Sequence, residues 1–477
     1  MQNKYRNLLS NTLLFTIGSF GSKFILFFLV PLYTNCLTTE EYGVADLINT
    51  SVNLIIPFIT LSVNDAILRF TLSKQIKPEN VIKNSILVLC SAILLICAMY
   101  PIIDYIKPFG DWTYIFIILT SLSLVRGAFS IYLKAIDRIK IFTIDSIIYT
   151  FSLAILNILL LVIFKWEIKG YFYAQIISMI FSIIYQSISG LILSDIRKGK
   201  VDRVLLKQML KYSTPLIVNA ISWWIINSID RYMINFYMTS SDVGIYAVAS
   251  KMPALLTTIT SIFSSAWVIS SIVEYEESKD EEFYSNVFSY YMCFLTLFCS
   301  LVLIIIKPFM SIYVGNNFND SWKYVPFLLV GSIYYTFSNF FMTLYKSEKK
   351  NLREISATTI GAIFNIVINL LLIPKIGIIG ACIATYFSQL LLIIYCIHDT
   401  RKFFKFRIDF KLLILNSFIL LIQCINLWLY TKITLIISII CLIILTYINR
   451  NNMKTIIRAL LDLIKRKGVS NNEGKKS

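Results

Sequence analysis

The chain has 477 residues, 57% of them apolar and only 15% charged, with a mean hydropathy of +0.72. Soluble chains carry roughly 25% charged residues, so the composition excludes a water-soluble globule and predicts an integral membrane protein. The net charge of +17, from 44 Lys and Arg against 27 Asp and Glu, would suit nucleic acid, but the placement of the cations points to membrane topology and no nucleic-acid partner is expected.

In chain order, about fourteen apolar runs are each long enough to cross a ~30 Å hydrocarbon core as a helix. They predict spans near residues 9–34, 43–64, 81–103, 113–133, 142–164, 170–193, 213–237, 243–272, 284–306, 325–345, 355–374, 377–397, 412–430 and 433–449. The connections are short, which leaves no room for a soluble catalytic or ATP-binding domain. The first run, after Lys4 and Arg6, has no short apolar core followed by a small-residue cleavage site, so it is expected to be a span and not a cleaved signal. Most Lys and Arg of the connections fall on the side that holds both termini, which predicts both to be cytoplasmic. The acidic connection from Glu274 to Glu282 departs from this pattern. The basic tail from Arg450 to Lys476 is expected to lie on the membrane surface and in solvent.

Two segment pairs repeat about 200 residues apart. Leu37-Thr-Thr-Glu-Glu-Tyr-Gly43 matches Met238-Thr-Ser-Ser-Asp-Val-Gly244, and Asn157 with Gly170-x-x-x-Ala174 matches Asn369 with Gly380-x-x-x-Ala384. An even number of spans separates the copies, so both halves enter the membrane in the same sense, related by a pseudo-twofold axis along its normal. The expected organisation is all-α: a six-helix bundle at 1–194, a cytoplasmic linker at 195–212, a second six-helix bundle at 213–400, two additional transmembrane helices at 401–449 and the tail at 450–477.

Charges at bilayer depth cost on the order of 3 kcal/mol and need a reason to be there. Four cations fall within spans: Lys23, Arg126, Arg231 and Lys251. Helical spacing places Thr12, Thr16, Ser19 and Lys23 on one stripe, and Asp46, Asn49, Asn53, Thr60 and Asn64 on another. Asn219, Trp223, Asn227 and Arg231 recur every four residues, and Lys251 leads Thr258, Ser261 and Ser265. One reading is a wet, cationic cavity in which the four cations, with Asn49, Asn53, Asn219, Trp223 and Asn227, take an anionic, sugar-like headgroup. The other is structural: internal ion pairs, snorkelling, and an interfacial tie for the adjacent Asp230 and Arg231. Asp46, Asp145 and Asp230 are candidates for coupling to an H+ or Na+ gradient, and an ion pair with a buried cation is the alternative for Asp46. Gly18, Gly21, Pro31 and Pro57 would permit helix bending.

Nine cysteines occur with no CxxC and no Cys/His cluster, which suits packing and neither metal nor disulfide. There is no Gly-rich loop ending in Gly-Lys-Ser/Thr, and His398 is the single histidine. Neither direct ATP use, nor a bound cofactor, nor an enzymatic role is expected.

Gly21-Ser-Lys-Phe through Pro31-Leu-Tyr-Thr, Leu37-Thr-Thr-Glu-Glu-Tyr-Gly43, and Asp230-Arg-Tyr-Met-Ile234 followed by Val243-Gly-Ile-Tyr-Ala-Val-Ala-Ser-Lys251 stand in an order that resembles the Wzx-type polysaccharide (O-unit) flippases. These form the polysaccharide transport branch of the multidrug/oligosaccharidyl-lipid/polysaccharide (MOP) superfamily, which includes the MATE transporters. The resemblance implies a V-shaped MATE-like fold in the bacterial cytoplasmic (inner) membrane. It implies a substrate of undecaprenyl-diphosphate carrying an oligosaccharide repeat unit, flipped to the outer leaflet for O-antigen or capsule assembly. Membrane lipids, a polysaccharide polymerase and chain-length machinery are the implied partners. A lipid II or teichoic-type lipid flippase shares nearly all these features and stays open. A MATE-like ion-coupled antiporter would be expected to have twelve spans and an acidic cavity. A polysaccharide polymerase would need an outer loop larger than Lys307 to Tyr324.

Overall fold

The computed structural model describes residues 24–73, 75–277, 280–348, 350–404, 407–456 and 458. Lys23 and the predicted stripe of Thr12, Thr16 and Ser19 lie outside the described residues, as do Gly18, Gly21 and most of the basic tail. The described chain is helical throughout, with no strand. Eleven of its helices are long and apolar enough to cross a membrane, and twelve when Thr434–Ile448 and Arg450–Ile456, bent by 70° at their junction, are counted as one span. This is a multi-pass membrane protein.

The chain forms two compact units. The first comprises Met1–Lys251, Tyr313–Asp320 and Thr358–Ala381, and the second Met252–Ile312, Ser321–Ala357 and Cys382–Ser477.

In the first unit α1 spans Phe24–Cys36 and α2 Thr39–Ile59. Thr38 and Glu41 close a capping box at the start of α2, which satisfies amides that an apolar environment would leave bare. The predicted span 43–64 is interrupted. Pro57 lies in the last turn of α2, Leu61 and Ser62 adopt φ of 52° and 53°, and the chain restarts as α3 (Val63–Thr71). α4 (Pro78–Ala98) opens on Pro78, whose missing amide costs nothing in the first turn, and α5 is Tyr100–Ile106. α6 (Thr113–Ala135) follows a 3-10 turn at Gly110–Trp112. α7 (Ile139–Asn157) continues through a π-helical stretch, Ile158–Ile163, before α8 (Glu167–Ser189).

The segment at 195–212 is built into this unit. α9 (Ile192–Lys198) and α10 (Arg203–Ser213) place Ile192, Leu205 and Met209 in the core formed by Val63, Ile67, Ile82, Leu89, Leu124 and Tyr132. Asn80 accepts from the Lys200 amide and Asn84 from the Asp202 amide, fixing the intervening turn to α4. α11 (Ile217–Tyr237) carries the Asn219-to-Arg231 stripe and is too polar to count among the eleven candidate spans. α12 (Ser240–Ala249) begins with a second capping box, Thr239 with Asp242.

The two capped starts meet. A Cβ on Gly43 would fall on the Ser240 carbonyl oxygen, and one on Gly244 on the Thr39 carbonyl oxygen. The Thr39 and Ser241 hydroxyls share a 2.6 Å hydrogen bond beside them. The first sequence repeat is thus a reciprocal helix crossing in which each glycine seats the other copy's backbone.

In the second unit run α13 (Lys251–Glu277, from Met252), α14 (Glu281–Tyr313, to Ile312), α15 (Val325–Ser347), α16 (Asn351–Ile376, to Ala357), α17 (Ile378–Thr400, from Cys382), α18 (Phe410–Leu429) and α19 (Thr434–Ile448). α15 is the most enclosed of the candidate spans. Aromatic rings fill the space around it: Trp267 stacks on Phe340 at 4.2 Å and Phe263 on Tyr291 at 4.0 Å. Gln423 on α18 bonds the Ser300 hydroxyl and carbonyl of α14, at 2.8 and 3.0 Å. Asn449 donates to Asn416 at 2.8 Å, joining α18 to the end of α19. Side chains such as Leu94, Ile163 and Ile188 in the first unit and Ile414 and Ile443 in the second point outward, as lipid-facing positions do. All nine cysteines are free; Cys90 and Cys97 are exposed, and six of the others are buried.

Candidate functional site

α2, α11, α12 and the first residue of α13 gather the charges of the first unit. Asp46 lies one turn beyond the Gly43 crossing. Arg231 donates to its Oδ2 through Nε, and the Lys251 ammonium lies 3.5 Å from Oδ1. The remaining guanidinium nitrogens are used as well, on the Asn227 carbonyl at 2.8 Å and the Ser250 hydroxyl at 3.1 Å. The Arg231 guanidinium lies 5.4 Å from the Tyr246 ring centroid and the Lys251 ammonium 5.8 Å from that of Tyr42. Two cations therefore share the Asp46 carboxylate, and the Asp230 carboxylate lies close enough to act on Arg231 as well. The side chain of Lys251 is 30% exposed against 11% for Arg231, so the lysine is the cation that faces outward.

Asp230, beside Arg231 in sequence, faces a different group. It is buried and accepts from the Tyr246 hydroxyl and the Asn369 amide, and Asn369 also donates to Asn365 at 3.0 Å. Tyr246 and Asn369 both belong to the repeated segments or adjoin them.

Arg126 and Asp145 form a second cluster. Arg126 Nε donates to Ser182 at 2.8 Å, its guanidinium comes within 3.6 Å of Asp145 and its plane lies 3.8 Å from the Tyr149 ring centroid. Ser182 and Gln186 both donate to the fully buried Asp145, and Gln186 bridges on to Ser130 at 2.8 Å. The Arg126–Asp145 pair is charge-balanced and hydrogen-bonded on both sides, as a structural tie requires.

Asn49 donates to the Tyr171 hydroxyl at 3.1 Å and accepts from Gln175 at 2.9 Å. Asn219 accepts from Thr358 at 3.4 Å, Trp223 is partly buried, and Asn53 and Asn227 are exposed. Of the predicted residues, Asp46, Arg231 and Lys251 come together. Arg126 with Asp145 stands apart from them, and Lys23 is outside the described residues. Thr258, Ser261 and Ser265 bond back to carbonyls of their own helix.

The partners that sequence reading missed are Tyr246, Ser250 and Asn369 around α11, and Ser182 and Gln186 on α8. Ser178, Ser182 and Gln186 recur every four residues on α8 and are all buried. That periodicity could have marked a polar face opposing Asp145.

Residues 8–268 match the model of a family described as polysaccharide biosynthesis proteins. The probable low-salt glycan biosynthesis flippase Agl15 of Haloferax volcanii is 25% identical over 197 residues, 38% of this chain and 39% of that protein. The chain spans about two fifths of the length of the curated relatives it matches. Among solved structures, the lipid II flippase MurJ in an inward closed conformation has a TM-score of 0.66 at 16% identity, covering 94% of this chain and 100% of that one. An inward-facing MATE-family multidrug transporter of the MOP superfamily has a TM-score of 0.61 at 12% identity, covering 81% and 95%. The fold is therefore that of the MOP transporters, as the sequence resemblance implied. With more than half of its length matched by the family model, the chain belongs to the polysaccharide biosynthesis protein family.

Proposed function

We propose that this protein is a flippase that moves polyprenyl-diphosphate-linked oligosaccharide repeat units from the cytoplasmic to the outer leaflet by alternating access, supplying O-antigen or capsule assembly. The observation that carries the reading is the cluster of Arg231 and Lys251 on the single carboxylate of Asp46. It brings two cations together inside a helical membrane unit, with the Lys251 ammonium the more exposed of them, where a diphosphate is a fitting counter-charge. The sidedness of Lys and Arg supports a bacterial cytoplasmic (inner) membrane location with both termini cytoplasmic. The reciprocal glycine crossing supports two six-span repeats at 1–194 and 213–400, followed by the two added helices. Asp46, Asp145 and Asp230 are the carboxylates through which an H+ or Na+ gradient would act. Polymerase and chain-length machinery would take the product.

The test is leaflet accessibility of the lipid-linked oligosaccharide in cells with and without this chain. Accumulation of intact precursor on the cytoplasmic side in its absence is the expected result. Normal outward movement of the oligosaccharide lipid, with lipid II or a teichoic precursor retained instead, would reassign the substrate. Unchanged distribution of all of them would overturn the flippase reading.

A further inference from the structure

Away from the charge cluster, the first unit holds a cavity of about 780 Å³. It lies among the start of α2, the 3-10 turn before α6 and the turn between α7 and α8. Alternation along the chain puts these three connections on one face, opposite the face assigned to the termini.

Trp112, Trp166 and Tyr173 line the cavity and keep ring surface open to it: Trp166 is 48% exposed and edge-on to Tyr173 at 6.2 Å, and Trp112, which backs onto the buried Phe172 at 5.4 Å, and Tyr173 are part-exposed. The turn that presents Trp166 is strained. Lys165 and Glu167 on either side of it have φ of 54° and 50°, a region non-glycine residues seldom occupy and one that persists where a side chain must be aimed. A hydrogen bond from the Trp166 amide to the Leu160 carbonyl at 2.9 Å holds the turn against the π-helical stretch.

The polar lining is mixed. Glu41 is committed to capping α2 through Thr38, whereas Glu40, Glu167, Lys165 and Lys169 are exposed. Carboxylates that accept and ammoniums that donate, alternating around aromatic faces, match the hydroxyls and the apolar C–H faces of pyranose rings. Three Glu against two Lys in the lining makes a poor site for a diphosphate, in contrast to the Asp46 cluster.

We propose that this cavity is a carbohydrate subsite that takes the sugar units of the oligosaccharide on the outer face, at a place separate from the cationic diphosphate cluster. That it faces outward rests on the sidedness of Lys and Arg, and that its sugar is the flipped oligosaccharide rests on the flippase reading above; its recognition of sugar rests on its own lining.

The full-length chain in lipid nanodiscs is titrated with the oligosaccharide released by mild acid from the lipid-linked pool of the cells that carry it, and saturation transfer to the sugar-ring protons is read. The expected result is saturable transfer that weakens about tenfold in Trp166→Ala and in Tyr173→Ala, as loss of one stacking face implies, and that inorganic pyrophosphate does not displace. Lys165→Met and Glu167→Gln, both at exposed positions, should weaken transfer likewise, and they stand in for an aromatic variant that fails to fold. Transfer that is absent from the native chain, undiminished in these variants, or displaced by pyrophosphate overturns the proposal. Binding is read without any movement between leaflets. A chain that binds sugar but does not flip sinks the proposed function and keeps the subsite, and a chain that flips without binding sugar does the reverse.

Discussion

Arg231 on α11 and Asp46 on α2 form a salt bridge between residues 185 positions apart in sequence, and Lys251 adds a second cation to the same carboxylate. Neither Arg231 nor Asp46 is more than 12% exposed, so each depends on the other to be tolerated where it lies.

Arg231→Ala should abolish transport and lower stability by about 2–3 kcal/mol, because it leaves Asp46 with only the more distant Lys251. The double variant Arg231→Ala/Asp46→Ala should be more stable than Arg231→Ala alone while remaining inactive. Thermal denaturation in detergent, paired with leaflet accessibility, checks both. A double variant no more stable than the single would mean that the bridge does not hold the helices.

At Arg126 the pairing with Asp145 and Ser182 favours the tie over the cavity reading. Arg126→Ala should destabilise by about 1–3 kcal/mol through the uncompensated Asp145, and Arg126→Lys, which keeps a charge there, by less. Adding Asp145→Asn to Arg126→Ala should restore expression and much of the thermal stability, because it removes the uncompensated buried charge. A double variant no more stable than Arg126→Ala, by thermal denaturation in detergent, would mean that Arg126 is no tie to Asp145 and would return it to the headgroup site.

Gly43→Ala and Gly244→Ala should each cost about 1–3 kcal/mol, since a methyl group would land on backbone that cannot rotate away. The pair should be less than additive, because the first substitution already parts α2 from α12. A melting-temperature cycle on the four proteins measures this. Additive losses would mean that the two glycines act at separate contacts.

Asp230→Asn should leave the protein inserted but remove the dependence of flipping on the H+ or Na+ gradient, since Asn can still meet Tyr246 and Asn369 but carries no charge to trade. Gradient dependence that survives in Asp230→Asn vesicles would exclude Asp230 from coupling and leave Asp46 and Asp145.

The helices are legible in the sequence because lipid demands an unbroken apolar run, and that signal is local. The interruption at Leu61–Ser62 is not, since neither residue has glycine's freedom to announce a left-handed turn. Among the site residues, helical spacing singles out Asp46, Arg231 and Lys251, and an ion pair is one of the two readings open to Asp46. That both cations converge on it is not visible, because a stripe reports which face is polar and not which face it meets. Arg126 groups with the other cations for the same reason: its counter-charge, Asp145, and its hydrogen-bond acceptor, Ser182, are on α7 and α8. The aromatic cavity escapes sequence reading altogether, as its residues come from two helix starts and a 3-10 turn far apart in sequence, and periodicity within one helix does not report which helix ends meet.

The reciprocal seat at Gly43 and Gly244 has the self-complementarity of a twofold dimer interface, yet it lies inside one chain. Duplicated segments ordinarily become free to diverge once they occupy different surroundings. Here each copy is the other's surroundings, so a side chain gained at either position is opposed by the carbonyl of its twin. The two halves of the sequence can drift apart around it and still be obliged to keep this signature in common, which makes the motif a marker for aligning them.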